Sequence, residues 1–124
     1  MPNGIEQLSS DAFEKATKFL RTQARPLEVS RFENTFNGAE ITHVFTELGK
    51  FQNSDGGFGH ALEPDLRTPE SSALCTSIAF QILRFHNTPK DEEMVHRGSS
   101  YLMDTLDRSE LHWRIIPESA GASP

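Results

Sequence analysis

The sequence predicts an all-α protein built from helical hairpins. Apolar residues recur at three- and four-residue spacing in several separate stretches, which is the pattern of one buried face on an α-helix. Capping residues and prolines separate these stretches, and no stretch alternates apolar and polar residues for long enough to indicate a β-strand. We expect four helices joined as two successive hairpins, either closed as a bundle or forming part of a larger repeat array.

The first predicted helix begins at Ser10, a favourable N-cap, and ends before Pro26. Its apolar positions keep helical spacing along residues 12–24. The following segment, residues 26–38, is predicted to be a connection between helices. It contains Phe32 and Phe36, and two aromatic side chains in a connection indicate that it packs onto the body of the protein.

Three further helices are predicted in the rest of the chain. The second occupies residues 39–52 and carries one apolar stripe. For the third, Thr68 is the predicted N-cap and Pro69 the first helical residue, where proline is favoured. Thr88 and Pro89 repeat this arrangement at the start of the fourth. The third helix is apolar around more of its circumference than the others, so we expect it to lie innermost.

Size and charge restrict the possible partners. The length of 124 residues fits one domain or part of one, and we expect a single α-helical domain. The net charge of -6 disfavours binding to nucleic acid or anionic lipid. The apolar runs fall far short of the ~20 residues that span a bilayer. Cys75 is the only cysteine, which fits a reducing compartment, and the N-terminus lacks the regions of a signal peptide. We therefore expect a soluble cytoplasmic protein with no nucleic-acid partner and no membrane span.

The most distinctive feature is the segment Gln-Asn-Ser-Asp-Gly-Gly-Phe-Gly, residues 52–59, which we name the glycine loop. Its three glycines allow positive φ angles and a close approach of backbones. Asp55 can accept hydrogen bonds from backbone N–H groups of the turn, and Gln52 can brace the turn from the end of a helix. Phe58 supplies an apolar side chain between glycines. Structural bracing therefore accounts for every residue of the loop.

The pattern Gln-x-x-Asp-Gly-Gly-Phe-Gly resembles the QW-type repeat motif of squalene–hopene-type terpene cyclases and of protein prenyltransferase β subunits. A closer resemblance covers most of the chain. The related group consists of uncharacterised bacterial proteins described as prenyltransferase- or squalene-cyclase-like. The matching segments are residues 25–27, 51–59, 62–65, 69–72 and 113–117.

This resemblance implies a partial α/α toroid, in which inner helices line a cavity and outer helices wrap around them. Members of the group are longer, and the resemblance corresponds to their N-terminal part. The Asp-x-Asp-Asp motif of class II cyclases and a recognisable zinc set of prenyltransferase β subunits are both absent from the sequence. The resemblance therefore transfers neither activity, and we predict no cofactor and no metal.

The candidate catalytic residues are Asp55, Glu63 and Asp65. Two carboxylates beside His60 could act as general acid and base or as oxygen ligands of a metal. The alternative is structural: Glu63 and Asp65 cap the third helix and pair with Arg67.

The candidate ligand-binding residues are His60, Arg67, Phe58 and Trp113. Aromatic side chains of this kind could line an apolar pocket, or they could be ordinary core residues. Cys75 lies on the apolar face of the third helix, where a buried and unreactive thiol is expected.

Three functions follow as hypotheses. The first is a prenyltransferase- or terpene-cyclase-like protein that binds an apolar or isoprenoid ligand, with or without catalysis. The second is a non-catalytic helical scaffold or self-associating interaction module, since a partial toroid leaves apolar faces to be covered by a homo-oligomer. The third is a carbohydrate-active α/α toroid, with Trp113 and Tyr101 as stacking side chains. A shared apolar cavity around His60, Glu63 and Asp65 would favour the first, and surface positions would favour the second.

Overall fold

The computed structural model describes residues 6–122, and within them the protein is all-helical, which confirms the predicted fold class. There are five α-helices: α1 (Ser10–Gln23), α2 (Pro26–Asn37), α3 (Ile41–Gly49), α4 (Ala73–Phe85) and α5 (Glu93–Thr105). A short 3-10 helix, Glu118–Ala122, follows them. The described residues contain isolated antiparallel bridges but no strand or sheet.

The chain divides between Val44 and Phe45 into two compact units, Met1–Val44 and Phe45–Pro124. We describe each unit by itself, and the prediction of a single domain stays a prediction. Among the described helices, none has the length and apolar character needed to cross a membrane.

In the first unit, α1 and α2 form a helical hairpin. The Ser9 hydroxyl oxygen caps α1 by accepting a hydrogen bond from the Ala12 amide at 3.1 Å. The prediction that residues 26–38 form a connection is wrong, because they form α2. Pro26 ends the first helix, but it is also the first residue of the second, where its missing N–H costs no hydrogen bond. Gly38 ends α2 in the left-handed conformation, with φ of 69°.

An aromatic cluster and an ion pair hold this hairpin together. The rings of Phe13, Phe32 and Phe36 lie with centroids 5.1 to 5.9 Å apart, within the range of favourable edge and tilted contacts. The Arg21 guanidinium donates to the Glu33 carboxylate at 2.7 Å. The prediction that these two side chains pack onto the protein is correct for Phe32, which is buried, although it does so from a helix. Phe36 contacts both other rings but stays 61% exposed.

In the second unit, α4 carries the core. Its buried residues are Cys75, Thr76, Ala79, Ile82 and Leu83, more than any other described helix buries. This agrees with the innermost position predicted for the third helix. Its predicted start is wrong, however. Ser72 is the N-cap in place of Thr68, and its hydroxyl oxygen accepts from the Cys75 amide at 3.0 Å.

The flanking helices are shorter than predicted. Helix α3 ends at Gly49, and residues 50–52 continue it only as a turn, in which each amide donates to the carbonyl three residues earlier. Helix α5 begins at Glu93, after Glu92 as N-cap, and not at Thr88. A Cβ atom at Gly98 of α5 would lie 3.0 Å from the Phe80 ring of α4, so glycine allows these helices to approach closely.

The residues after α5 form an ordered segment, residues 106–117, which we call the C-terminal segment. Asp107 and His112 exchange backbone hydrogen bonds of 2.9 and 3.3 Å across a turn. The Asp107 carboxylate accepts from the Ser109 hydroxyl at 2.6 Å and from the amides of Ser109 and Glu110 at 2.9 and 3.1 Å. Together these bonds hold the pKa of Asp107 below its ordinary value of 3.8, with the Ser109 hydroxyl as the largest cause.

The stability of the Asp107–His112 turn should depend on pH in a defined direction. The hydrogen bonds favour the ionised carboxylate, so the stability that they contribute is complete above pH 3.8 and is lost as the pH falls through the lower pKa of the folded state. In an acid titration followed by NMR, the amide resonances of Ser109 and Glu110 should change together with a midpoint below 3.8. A midpoint at or above that value would contradict the geometry.

Candidate functional site

The glycine loop is folded by its own backbone and by one glutamine. The Asn53 amide donates to Gly57 O at 2.8 Å, and the Gly56 amide donates to Asn53 O at 3.0 Å. The Gln52 side-chain amide donates to Gly56 O at 2.9 Å and to Met94 O of α5 at 3.2 Å. Gln52 therefore braces the loop as the sequence predicts, and it also ties the loop to α5.

Two glycines of the loop lie where no other residue fits. Gly56 has φ of 90°, and a Cβ atom there would lie 2.3 Å from Arg97 O. A Cβ atom at Gly59 would lie 2.2 Å from Glu70 O. Real Cβ contacts are never so short, and in both cases the obstacle is backbone. The glycines thus allow two close backbone contacts, as the sequence predicts.

Phe58 anchors the loop in the core of the second unit. Its side chain has 0% exposure. Its amide donates to the Thr76 hydroxyl at 3.0 Å, and its carbonyl accepts from the Ser72 amide at 3.0 Å. The aromatic side chain is therefore completely covered by protein, in a position fixed by the first turn of α4.

A chain of hydrogen-bonded side chains runs along the outer side of the loop. Asp55 accepts from the Gly57 amide at 2.9 Å and from the Ser71 hydroxyl at 2.7 Å. The side-chain amide nitrogen of Asn53 donates to Ser71 Oγ at 2.9 Å. The amide oxygen of Asn53 lies 2.5 Å from His60 Nε2, and because that oxygen can only accept, the ring nitrogen would be the donor of this hydrogen bond.

This chain borders an open groove of about 540 Å³ on the second unit. The residues that line it include Asn53, Asp55, Glu70, Ser71 and Tyr101. Burial raises the pKa of the Tyr101 phenol, and the negative charge of Asp55 raises it further. The groove thus has two carboxylates and several hydroxyl groups on an exposed surface.

A smaller groove, of about 210 Å³, shares Asp55 with the first and lies beside Arg97. The Arg97 guanidinium donates to Asn53 O at 2.8 Å and to the Gln52 side-chain oxygen at 3.2 Å. Arg97 therefore serves as a second link between α5 and the glycine loop.

The structure separates the predicted catalytic acids. Asp55 lies in the grooves, and Asp65 is exposed on the turn that follows the loop. Glu63 is half-buried and accepts from the Asp65 amide at 3.4 Å. Neither carboxylate caps α4, whose cap is Ser72, so that structural alternative is wrong. In the part of the chain that the structure describes, neither forms an ion pair with Arg67.

The predicted ligand-binding residues are also dispersed. His60 and Arg67 are exposed on the turn after the loop, and Phe58 is buried. Trp113 lies in the C-terminal segment, and its indole N–H donates to Leu102 O at 2.7 Å. Across the described residues, no three His, Cys, Asp or Glu side chains are grouped so that they could hold a metal ion.

Three residues that shape the site are not among the predicted site residues: Asn53, Ser71 and Arg97. The sequence indicated Tyr101 only as a side chain that could stack on a sugar, not as part of the loop site. For Asn53 and Ser71 a signal was present, since both lie in the matching segments 51–59 and 69–72. Arg97 and Tyr101 lie about 45 residues further along the chain. Only the packing of α5 brings them to the loop.

Comparisons of the chain with models of protein families, with curated proteins and with solved structures find no match. The resemblance to prenyltransferase- and cyclase-like proteins therefore remains an expectation from sequence.

The Gly59 position provides a direct test of the loop. We expect Gly59→Ala to destabilise the protein by about 3 kcal/mol or more, because the obstacle to the new methyl group is a backbone carbonyl that cannot rotate away. Gly121→Ala is the matched control, since no atom lies within 4 Å of its added Cβ. Urea unfolding of both variants would measure the difference, and equal stability would refute this packing.

Proposed function

We propose that this chain is a non-catalytic helical interaction module that associates with itself. The observation that carries the proposal is the exposure of large apolar side chains on a chain with only 35% hydrophobic residues. Leu111 is 77% exposed, Phe85 60% and Ile115 59%. Monomeric proteins rarely expose contiguous apolar patches larger than a few hundred Å², and larger patches indicate contact sites.

The positions of the acidic residues support a structural role over a catalytic one. His60 and Asp65 are exposed and Glu63 is half-buried on one turn, and none of them lines the grooves beside the loop. Asp55 uses one carboxylate oxygen to hold the loop. General acid–base catalysis requires a donor and an acceptor placed around one substrate atom, which these positions do not favour.

We further propose that the chain forms a homo-oligomer in the cytoplasm. Cys75 is the only cysteine and has 0% exposure, so the fold requires no oxidising compartment.

Sedimentation velocity over a range of protein concentrations tests self-association. We expect the weight-average mass to rise from that of one chain, 13.9 kDa, towards twice that value as concentration increases through the micromolar range. A well-folded chain that stays monomeric at the highest concentration would overturn the proposal.

A second candidate is a prenyltransferase- or cyclase-like module that binds an isoprenoid ligand. The glycine loop favours it, because the motif that carries the resemblance folds as a braced turn between α3 and α4.

Titration with farnesyl or geranylgeranyl diphosphate tests this second candidate. Binding should raise the melting temperature and shift NMR resonances, because a ligand that binds only the folded state stabilises it. Inorganic diphosphate is the control for the charged group alone. The absence of a response to either isoprenoid would count against this function.

A further inference from the structure

We propose that a second copy of this chain binds to one defined surface, formed by Met103, Leu111, Trp113, Ile115 and Ile116. We call this surface the C-terminal patch. The inference rests on the proposed function and adds to it the location of the interface and the identity of the partner.

The apolar side chains of the patch are concentrated in a short stretch. Four of the six residues 111–116 are large, apolar and at least 38% exposed. Exposure is 77% for Leu111, 59% for Ile115 and 49% for Ile116. Met103 is 54% exposed near the end of α5. The Trp113 indole N–H donates to the carbonyl of Leu102, the residue before Met103, which places the indole beside α5.

The size of the patch suits an interface between two copies. The exposed area summed over its five residues is on the order of 500 Å². A standard interface buries about 800 Å² on each partner, of which roughly 60% is apolar. The apolar part of one side of such an interface is therefore about 500 Å². The patch therefore supplies about the apolar area that one side of a stable dimer needs.

The patch is also held in place before binding. The Asp107–His112 turn fixes its start, and the Leu74 amide of α4 donates to Ile115 O at 3.4 Å. Beyond the patch, the Ser119 hydroxyl lies 2.8 Å from the hydroxyl of buried Thr68. A surface that is already ordered loses less conformational entropy on association.

The charges around the patch favour a second copy as the partner over a protein whose contact surface carries charges of only one sign. Arg108, Glu110 and Arg114 follow one another along the segment, and Glu118 comes directly after it, so the charge signs alternate. In a two-fold interface the same surface is used by both copies, and residue i of one copy contacts residue j of the other and the reverse. Favourable charge contacts therefore require one surface that carries both signs. Arg114 and Glu118 pair at 2.8 Å with side chains 65% and 81% exposed, and such a pair can exchange partners at little cost.

The effect of salt on the strength of the dimer distinguishes an apolar interface from an ionic one. The net charge of -6 opposes the approach of two copies, and added salt screens that repulsion. We expect the dimer to become tighter as the NaCl concentration rises. Weakening by salt would contradict an interface dominated by apolar contact.

The experiment uses the full chain and its single tryptophan, which lies in the patch. Association should move the Trp113 emission to shorter wavelength over the same concentration range in which sedimentation velocity detects the dimer. Leu111→Asp should weaken the dimer by about tenfold or more, because it introduces a charge into the contact. Leu8→Asp, at a side chain with similar exposure of 70% in the other unit, is the matched control and should leave the dimer unchanged. Circular dichroism and urea unfolding confirm that both variants are folded.

The outcomes distinguish this inference from the proposed function. A chain that dimerises with unchanged Trp113 emission, or whose dimer is equally strong in Leu111→Asp, uses another surface; this overturns the patch and leaves self-association intact. A chain that is monomeric throughout overturns both, and the patch is then open to a different partner.

Discussion

The insertion of Phe58 into the core of the second unit is the constraint on which the site depends. Its ring is completely buried, and its backbone binds Thr76 and Ser72 on either side of the start of α4. A buried phenylalanine contributes about 1.5–3 kcal/mol relative to an exposed one. Gly56 and Gly59, on either side of the ring, let the loop backbone lie against Arg97 O of α5 and Glu70 O, with no room for a Cβ atom at either position. Loop, α4 and α5 are thereby fixed together.

The polar side chains of the loop follow from this arrangement. A turn in contact with two helices leaves backbone groups that must find partners within the protein. Gln52 satisfies carbonyls of the loop and of α5, and Asp55 satisfies the Gly57 amide and the Ser71 hydroxyl. Arg97 supplies the remaining link from α5. These residues resemble a catalytic constellation in composition, yet their hydrogen bonds are made to the loop, to Ser71 and to α5. The residue types of the segment alone therefore do not indicate that it takes part in a reaction.

Local patterns predicted the helical class, the apolar α4 and the bracing of the glycine loop, because each depends on residues close in sequence. Helix starts were less predictable. Pro26 satisfies the rule for ending one helix and equally the rule for beginning the next, and α2 was missed for that reason. Thr68 and Pro69 have the pattern of a helix start, but Ser72 forms the cap. The partners of the loop on α5 could not be predicted, since their proximity depends on tertiary packing between distant segments.

The position of Cys75 gives the second unit a built-in probe of its own opening. The thiol lies in the first turn of α4 with no exposed surface, and the chain has no other cysteine. A thiol reagent can reach it only after α4 has separated from its surroundings, so in the appropriate kinetic regime the labelling rate reports the free energy of that opening. The first unit contains no thiol and stays silent in such a measurement. Fraying of the α1–α2 hairpin can thus be distinguished from loss of the core that holds Phe58.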